Sequence, residues 1–426
     1  MSAAVNRAIR GSPHDLLLVL WIVLLGADRV SLLDKLVPFV FTPFLALTPL
    51  VIVSEWLRHR LRGRHVTVPR AAVEYASVAA ALIAVVWASV SISLDPSTSA
   101  ARASLLLAEI VGTGAVVVLA SGRQEFERLL ARAAVIGIAV FVIADVVQVA
   151  ALFRVVPEVV RVGPAAIALE TVPYAGVIPR LSALVGDPNR TGWVVLFMAF
   201  LVAIGERRTS VRRVAIAAAA VLIAFTLSRS TLLAASVTLL VLAATQRPLR
   251  VRVAPVVAGC LLAAALASAL FIAPPARAPR MDPLAPLAER FSSTEGSASE
   301  HVLLLRRGLD EATASPSRLL LGMGYGTSYL VVQDRFPGNR YGNFHSLYVS
   351  LFAESGLFAL LLILALLGWP LLRGGRYRPL IAGAAMFNLF YQTSTEPAFW
   401  CLLALAWVAG GVEVSEARAP TARRSG

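Results

Sequence analysis

The stretch Tyr341-Gly-Asn343-Phe-His345-Ser346-Leu-Tyr348 places one of five histidines where a polar loop gives way to a hydrophobic run, Val349-Ser-Leu-Phe-Ala-Glu354-Ser-Gly356. An imidazole is the side chain best suited to moving a proton near neutral pH. Asn343 is a helix-capping residue type, which predicts a helix whose first turn holds His345. The positive end of the helix dipole there disfavours the imidazolium and leaves a neutral ring able to accept a proton. Helical spacing puts Val349, Phe352 and Gly356 on the stripe of His345, and Gly356, lacking a side chain, admits another helix or a lipid tail. Glu354, nine residues on, falls about 180° round the helix and is a poor candidate for the carboxylate that orients His345. Two readings stand side by side: a proton acceptor for a lipid-borne substrate, and an interfacial histidine facing water.

Anion-binding chemistry is suggested at two arginines. In Gly186-Asp187-Pro188-Asn189-Arg190-Thr191-Gly192, Pro188 keeps Asp187 extended and Asn189 is the expected cap. Arg190 then projects from a helix N-terminus whose N–H groups already favour an anion; the plainer reading is an ordinary capped start to a membrane helix. In Leu227-Ser228-Arg229-Ser230, the flanking apolar runs, 214–227 and 231–245, are shorter than the ~20 residues that cross a bilayer comfortably. The turn should therefore be drawn below the outer surface, where an arginine needs an anionic partner or a wet cavity. Snorkelling of Arg229 to headgroups is the alternative. Leu321-Gly322-Met-Gly324-Tyr325-Gly326 lacks the lysine and strand–helix setting of a phosphate loop and is read as a tight backbone turn. Thr395-Glu396-Pro397 marks an outer helix start, with Glu396 as a terminal charge or a cavity-lining group. Cys260 and Cys401 both lie in apolar runs, and no metal, disulfide, Asp-x-Asp or Ser-His-Asp pattern is present.

The elements that must position these residues are membrane helices. Hydrophobic residues make up 58% of the chain and charged ones 15%, with mean hydropathy +0.75; soluble domains carry about 25% charged residues. The expected fold is an all-α polytopic membrane protein of about twelve spans. They lie at 15–27, 36–56, 71–94, 104–120, 132–152, 191–205, 212–227, 230–245, 253–273, 345–369, 379–394 and 397–413. The first run has no small-residue cleavage site and is expected to be retained. Arginines crowd the connections 57–70, 121–131, 206–211, 246–252 and 370–378 and the tail at 414–426, which puts both termini in the cytoplasm. The formal charge of +14 reports that orientation rather than nucleic-acid binding.

The division is then 1–273 with an outer loop at 153–190, a large outer loop at 274–344, spans at 345–413 and a tail at 414–426. The outer loops hold Arg180 and Arg190 in the first and Arg306, Arg307, Arg335 and Arg340 in the second, where a phosphate-bearing ligand would account for them. The second loop starts on a helix-breaking Ala273-Pro-Pro linker. Ser297-Ala-Ser-Glu300 reads as a capping box opening a helix that ends at Ser315-Pro316. Its apolar face would be Val302, Leu305, Leu309 and Ala312, with Arg306, Arg307 and Asp310 more exposed, and it would lie on the membrane as a roof over a cavity.

His345-Ser346, nine residues, Gly356, two residues and Ala359 resembles a motif of the O-antigen ligase superfamily, which also holds O-antigen polymerases and related O-oligosaccharyltransferases. That motif is His, then Asn, Ser or Gln, nine residues, Gly, two residues, and Gly, Thr or Tyr; Ala359 departs from its last position, which bears on ligase against its relatives. Asp187-Pro-Asn-Arg190, Ser228-Arg229 and the Gly322–Gly326 turn also look like family signatures, in this order on these loops. The resemblance covers the topology of most of the chain and is sharpest from Ser182 to Gly356.

It implies a GT-C-like fold and an inverting, metal-independent transfer, with no cofactor. A glycan would move from a polyprenyl diphosphate, such as undecaprenyl diphosphate, to a hydroxyl of a lipid core, glycan or protein on the outer face of the bacterial cytoplasmic membrane. Arg190 and Arg229 would hold the donor diphosphate and His345 would take the acceptor proton. Arg180, Asp187, Asn189, Asn343, Ser346, Arg306, Arg307, Arg335 and Arg340 would support them. Ligase and polymerase remain open within the superfamily, and a glycolipid transporter is the non-enzymatic alternative.

Overall fold

A computed structural model describes residues 13–245 and 296–418, apart from 33–40, 64–65, 67, 124, 164, 170–171, 175–177, 336 and 339–341. The expected span at 253–273, the Ala273-Pro-Pro linker, Arg340 and residues 419–426 lie outside the described residues. A helix stands at every other expected span. In chain order they are α1 (Pro13–Val23), α2 (Pro43–Leu61), α3 (Arg70–Val90), α4 (Pro96–Ser121), α5 (Phe126–Leu152), α6 (Pro188–Gly205), α7 (Thr209–Thr226) and α8 (Arg229–Thr245). The second loop and the last spans give α9 (Gly296–Thr313), α10 (Pro316–Leu321), α11 (Ser328–Val331), α12 (Leu347–Arg373), α13 (Arg378–Phe387) and α14 (Pro397–Arg418). Among the described residues six helices, α3 to α7 and α12, are long and apolar enough to cross a membrane. The chain is a mostly helical, multi-pass membrane protein.

Helix α6 is the centre of the bundle: α5 and α7 pack on it, while α3 packs on α12, α4 on α14 and α8 on α13. Trp193, Phe197, Phe387 and Trp400 are fully buried there, and the rings of Trp193 and Phe387 stack 5.4 Å apart. Side-chain contacts separate two ends of the bundle. At one, Arg123 meets Asp15 and Glu55, Arg58 meets Glu55, Arg376 meets Glu127 and Arg373 approaches Glu74. At the other, Tyr329 bonds Asp95, Gln148 bonds Ser182, and Arg190 meets Asp28 and Glu396. His345 belongs to this second end.

The structure is consistent with the expected all-α membrane protein, to which Val30–Ser31 and the first outer loop add a few short strands. Strands β1 (Val30–Ser31), β2 (Val159–Val162) and β3 (Ala165–Ala168) form an antiparallel sheet in the order β1-β3-β2, with Val30 opposite Ile167 and Val160 opposite the same residue. A second hairpin pairs β4 (Val172–Tyr174) with β5 (Ile178–Arg180). Val159, Val160 and Val162 are β-branched residues beside Gly163, whose φ of 59° suits a tight turn. That signal is overlooked when a loop is read only for its charges.

Two of the late spans also differ from expectation. The helix at 379–394 stops at Phe387, and Asn388 to Glu396 form a folded connection instead. Thr393 Oγ1 donates to Asn388 Oδ1 at 2.6 Å, and the Asn388 and Tyr391 carbonyls both accept the Leu347 N–H at 3.0 Å. The connection thereby seats the start of α12. Helix α12 is in turn broken at Gly356, which has φ 79° and ψ −176°.

Candidate functional site

The chain enters the site through the segment before α6. Asp145 and Gln148 are polar residues in the apolar second half of α5, and each accepts a backbone N–H: Ala183 to Asp145 Oδ1 at 2.8 Å, Ser182 to Gln148 Oε1 at 3.1 Å. Arg29 grips the same segment, donating to the carbonyls of Gly186 and Ala168. So fixed, Asp187 becomes the N-cap of α6. Its Oδ1 accepts the N–H groups of Asn189 at 2.8 Å and Arg190 at 3.0 Å, with Pro188 at the first helical position. This corrects the expectation for Asn189, which lies inside the helix. Tyr391 also bonds the Asp187 carboxylate.

Arg190 is held between two carboxylates. Its Nη2 donates to Asp28, and its Nε lies in ion-pair contact with Glu396. The guanidinium side chain keeps 23% exposure while Glu396 is buried. Arg190 thus faces the site as an oriented, partly neutralised cation, not as a lone charge at a helix end. Burial pushes the Glu396 carboxyl up to about 8 against the pull of Arg190, and burial likewise raises Asp28.

Arg229 opens α8 and is half-buried. Its turn is docked on α6: Thr231 Oγ1 donates to the Asn189 carbonyl at 3.3 Å, and Ser228 Oγ accepts the Thr231 N–H at 3.2 Å. Gly192 makes the approach possible, because a Cβ there would overlap Thr231. Arg180 joins the turn from β5 by donating from Nε to the Thr226 carbonyl at 3.2 Å. Arg180 and the turn that carries Arg229 are therefore joined to the first turn of α6, which carries Arg190.

His345 lies one residue before the cap of α12. Ser346 is the N-cap, accepting from the Val349 N–H and donating to the Asn388 carbonyl at 3.2 Å. Asn343 Oδ1 accepts the His345 N–H at 2.8 Å, which closes a local turn rather than capping the helix. His345 itself is left-handed, φ 54°. Such a conformation is several-fold enriched for histidine but still rare, and backbone outliers gather at functional sites. Burial pushes the imidazole below its ordinary value, opposed by the charges of Asp187 and Glu300. The neutral ring expected from the helix dipole is thus favoured by desolvation instead.

The remaining expected residues separate. Arg307 Nη1 is engaged by Asp334 at 2.7 and 2.9 Å, Arg306 and Arg335 are exposed, and Arg340 lies outside the described residues. The buried face of α9 is Leu304, Gly308 and Ala312, whereas Val302 and Leu309 are exposed, a rotation from the expected face. That face carries a residue the sequence reading passed over. The ring of His301 lies 4.4 Å from that of His345, centroid to centroid, tilted by 54°. Asp28 and Tyr391 were overlooked as well; each reaches its partner from a different part of the chain, with no local spacing to announce it.

The glycine-rich turn is structural, as read. Met323 and Gly324 donate to the carbonyls of Ala353 and Glu354 at 3.0 and 2.9 Å, and Glu354 Oε1 accepts the Ser328 N–H at 3.1 Å. Glu354 anchors this turn and is not a partner of His345.

Residues 214–364 match the family model described as O-antigen ligase. The matched stretch contains Arg229, His301, the glycine turn, His345 and Gly356, and over those residues the chain is similar to the O-antigen ligase superfamily. A comparison with curated proteins gives no match.

Proposed function

We propose that this multi-pass membrane protein, with its O-antigen ligase match over residues 214–364, transfers a glycan from a polyprenyl diphosphate to an acceptor hydroxyl. The reaction would run at the outer face of a bacterial cytoplasmic membrane, with both termini inside. The observation that supports it best is His345, a half-buried imidazole favoured in its neutral form, beside an arginine-ringed helix N-terminus. The acceptor oxygen attacks the anomeric carbon as the bond from that carbon to the diphosphate oxygen breaks. A single in-line displacement inverts the centre. His345 takes the acceptor proton, and the leaving diphosphate keeps the bonding electron pair. Arg229 and the exposed edge of Arg190 offset its growing charge, aided by the N–H groups at the start of α6. No step requires a metal.

The test is transfer by the purified protein in vesicles holding a polyprenyl-diphosphate oligosaccharide and a candidate acceptor, with chelator present. Release of polyprenyl diphosphate with a new glycosidic bond supports the proposal. One chain moved to a lipid or protein identifies a ligase, and a ladder of lengths a polymerase. Donor crossing the bilayer with no bond broken would overturn the reading in favour of a transporter.

Within that assay, Arg229→Lys keeps charge but loses the planar fork. Donor KM is expected to rise about tenfold or more, the loss of roughly 1.4 kcal/mol of bidentate binding; unchanged donor affinity and turnover would remove Arg229 from the diphosphate site.

A pH dependence follows from Glu396. Because burial pushes the Glu396 carboxyl up to about 8, its anionic share grows as pH rises through that value, cancelling more of the Arg190 charge. Donor affinity should therefore fall between neutral and alkaline pH. Glu396→Gln, fixed in the neutral state, should flatten that decline, measured as donor KM against pH; a decline identical to that of the unaltered protein would assign it to another group.

A further inference from the structure

Among the described residues, the mechanism just described names no group that orients the His345 ring. Asn343 Oδ1 accepts the His345 backbone N–H, and Glu354 is committed to the glycine turn. The charges that act on the imidazole come from Asp187 at the start of α6 and Glu300 on α9. Asp187 is already engaged as a helix cap and by Tyr391, and the nearby Arg190 is engaged by Asp28 and Glu396.

The group in ring contact is His301. A centroid separation of 4.4 Å leaves no room for a water between the two imidazoles, so the rings are in direct contact. Nor is the contact an accident of a loose loop. His301 lies two turns before Gly308 on one face of α9. A Cβ at Gly308 would overlap Val349 and Phe344, so the helix is seated against the first turn of α12 and the residue preceding His345. Leu304 and Ala312 continue that buried face. The face that docks α9 is therefore the one that presents His301 to His345.

We propose that His301 is the positioning partner of His345: a nitrogen of its ring holds the His345 imidazole in one orientation and tautomer, and shares the proton that His345 removes from the acceptor. This rests on the transferase reading above. The chemistry is that of a proton acceptor oriented through its second ring nitrogen, a role a neutral imidazole can fill where no carboxylate is available. Two imidazolium rings in contact repel, so the pair carries at most one proton in the working range. The proton taken from the acceptor passes to His301 on α9, toward Glu300 and water, and His345 returns to its neutral form.

The experiment compares His301→Gln with His301→Phe in the vesicle assay. Gln retains a hydrogen-bonding group and loses the ring; Phe retains the ring and loses both nitrogens. A positioning role predicts that Gln keeps kcat within about threefold, while Phe lowers it about tenfold or more with donor KM unchanged, following the tenfold per ~1.4 kcal/mol scale. It also predicts that the acid limb of the kcat–pH profile moves to lower pH in the Phe variant, because the His345 imidazolium has lost its acceptor. Thermal unfolding in detergent checks that both variants fold, and purified His345→Ala serves as the inactive reference. If Phe retains activity and Gln does not, His301 is a packing residue and the inference fails. Full activity in both variants, or equal loss in both with an unmoved pH profile, also overturns it. Absence of transfer by the unaltered protein would instead overturn the transferase reading.

Discussion

His345→Ala is expected to lower transfer by about 100- to 10,000-fold, the range contributed by a positioned proton acceptor. Donor binding, measured separately as retention of labelled polyprenyl diphosphate, should change little, because the proposed anion site draws on α6 and the α7–α8 turn rather than on the imidazole. Alanine at this position also meets a backbone problem, since His345 is left-handed. His345→Asn is therefore the better probe: asparagine adopts that conformation readily and cannot act as a base at neutral pH. Equal loss in both variants, with unchanged unfolding temperature for Asn, assigns the effect to chemistry; activity retained within severalfold in Asn would exclude His345 as the base. The unaltered protein should gain activity with rising pH through a midpoint below the ordinary histidine value, because burial disfavours the imidazolium. With the alkaline weakening assigned to Glu396, the profile of kcat/KM becomes a bell.

How much of this was visible in the sequence depends on whether the deciding contact was local. Apolar run length located the described helices, since each depends on its own stretch, but several ends differ by six to eight residues, as at Pro96, Phe126 and Phe387. At the start of α6 the signal was present and misassigned. Asp followed by Pro is a cap followed by the first helical residue, and the Asp187 carboxylate does what Asn189 was expected to do. At the start of α12, Asn343 and Ser346 are both capping types, and the choice between them is made by the Asn388 carbonyl, which accepts from Ser346 Oγ. That carbonyl exists there only because the preceding span stops at Phe387. The arginines show the same limit. Charge alone could not distinguish Arg190, clasped by Asp28 and Glu396, from Arg307, which is spent on an exposed pair with Asp334. Helical periodicity puts Val302, Leu305, Leu309 and Ala312 on one face of α9; Ala312 is indeed buried, but with Leu304 and Gly308, the glycine allowing the backbones to approach as they do between membrane helices. Choosing the expected face hid His301.

The largest stability effect is expected at Gly356. The position was read as a gap for a neighbouring helix or a lipid tail; what fills it is the chain itself. A Cβ at Gly356 would overlap the Leu320 carbonyl and come within 2.6 Å of the Leu321 nitrogen, both backbone atoms that cannot rotate away. The conformation, φ 79° with ψ −176°, is one that residues with a side chain hardly occupy. Backbone strain of about 1–3 kcal/mol adds to the steric displacement, so Gly356→Ala should exceed the ~4 kcal/mol that marks an exceptional substitution. The reciprocal contact makes the lesion spread. Gly322, φ 76°, lies against the Glu354 carbonyl, so α10 and its glycine turn lock into the break of α12 from both sides. Forcing the break open shifts the Leu347–Ser355 half-helix and with it the cap that places His345. The internal control is Gly368 in the same helix, where an added Cβ meets nothing within 4 Å. Gly368→Ala should raise the unfolding temperature slightly, as a helix-interior glycine costs roughly 0.5–1 kcal/mol relative to alanine. Fluorescence-detected unfolding in detergent separates the two: a large drop at Gly356 beside a small gain at Gly368 identifies a built break in α12, and equal small gains at both would mean that the helix runs straight through.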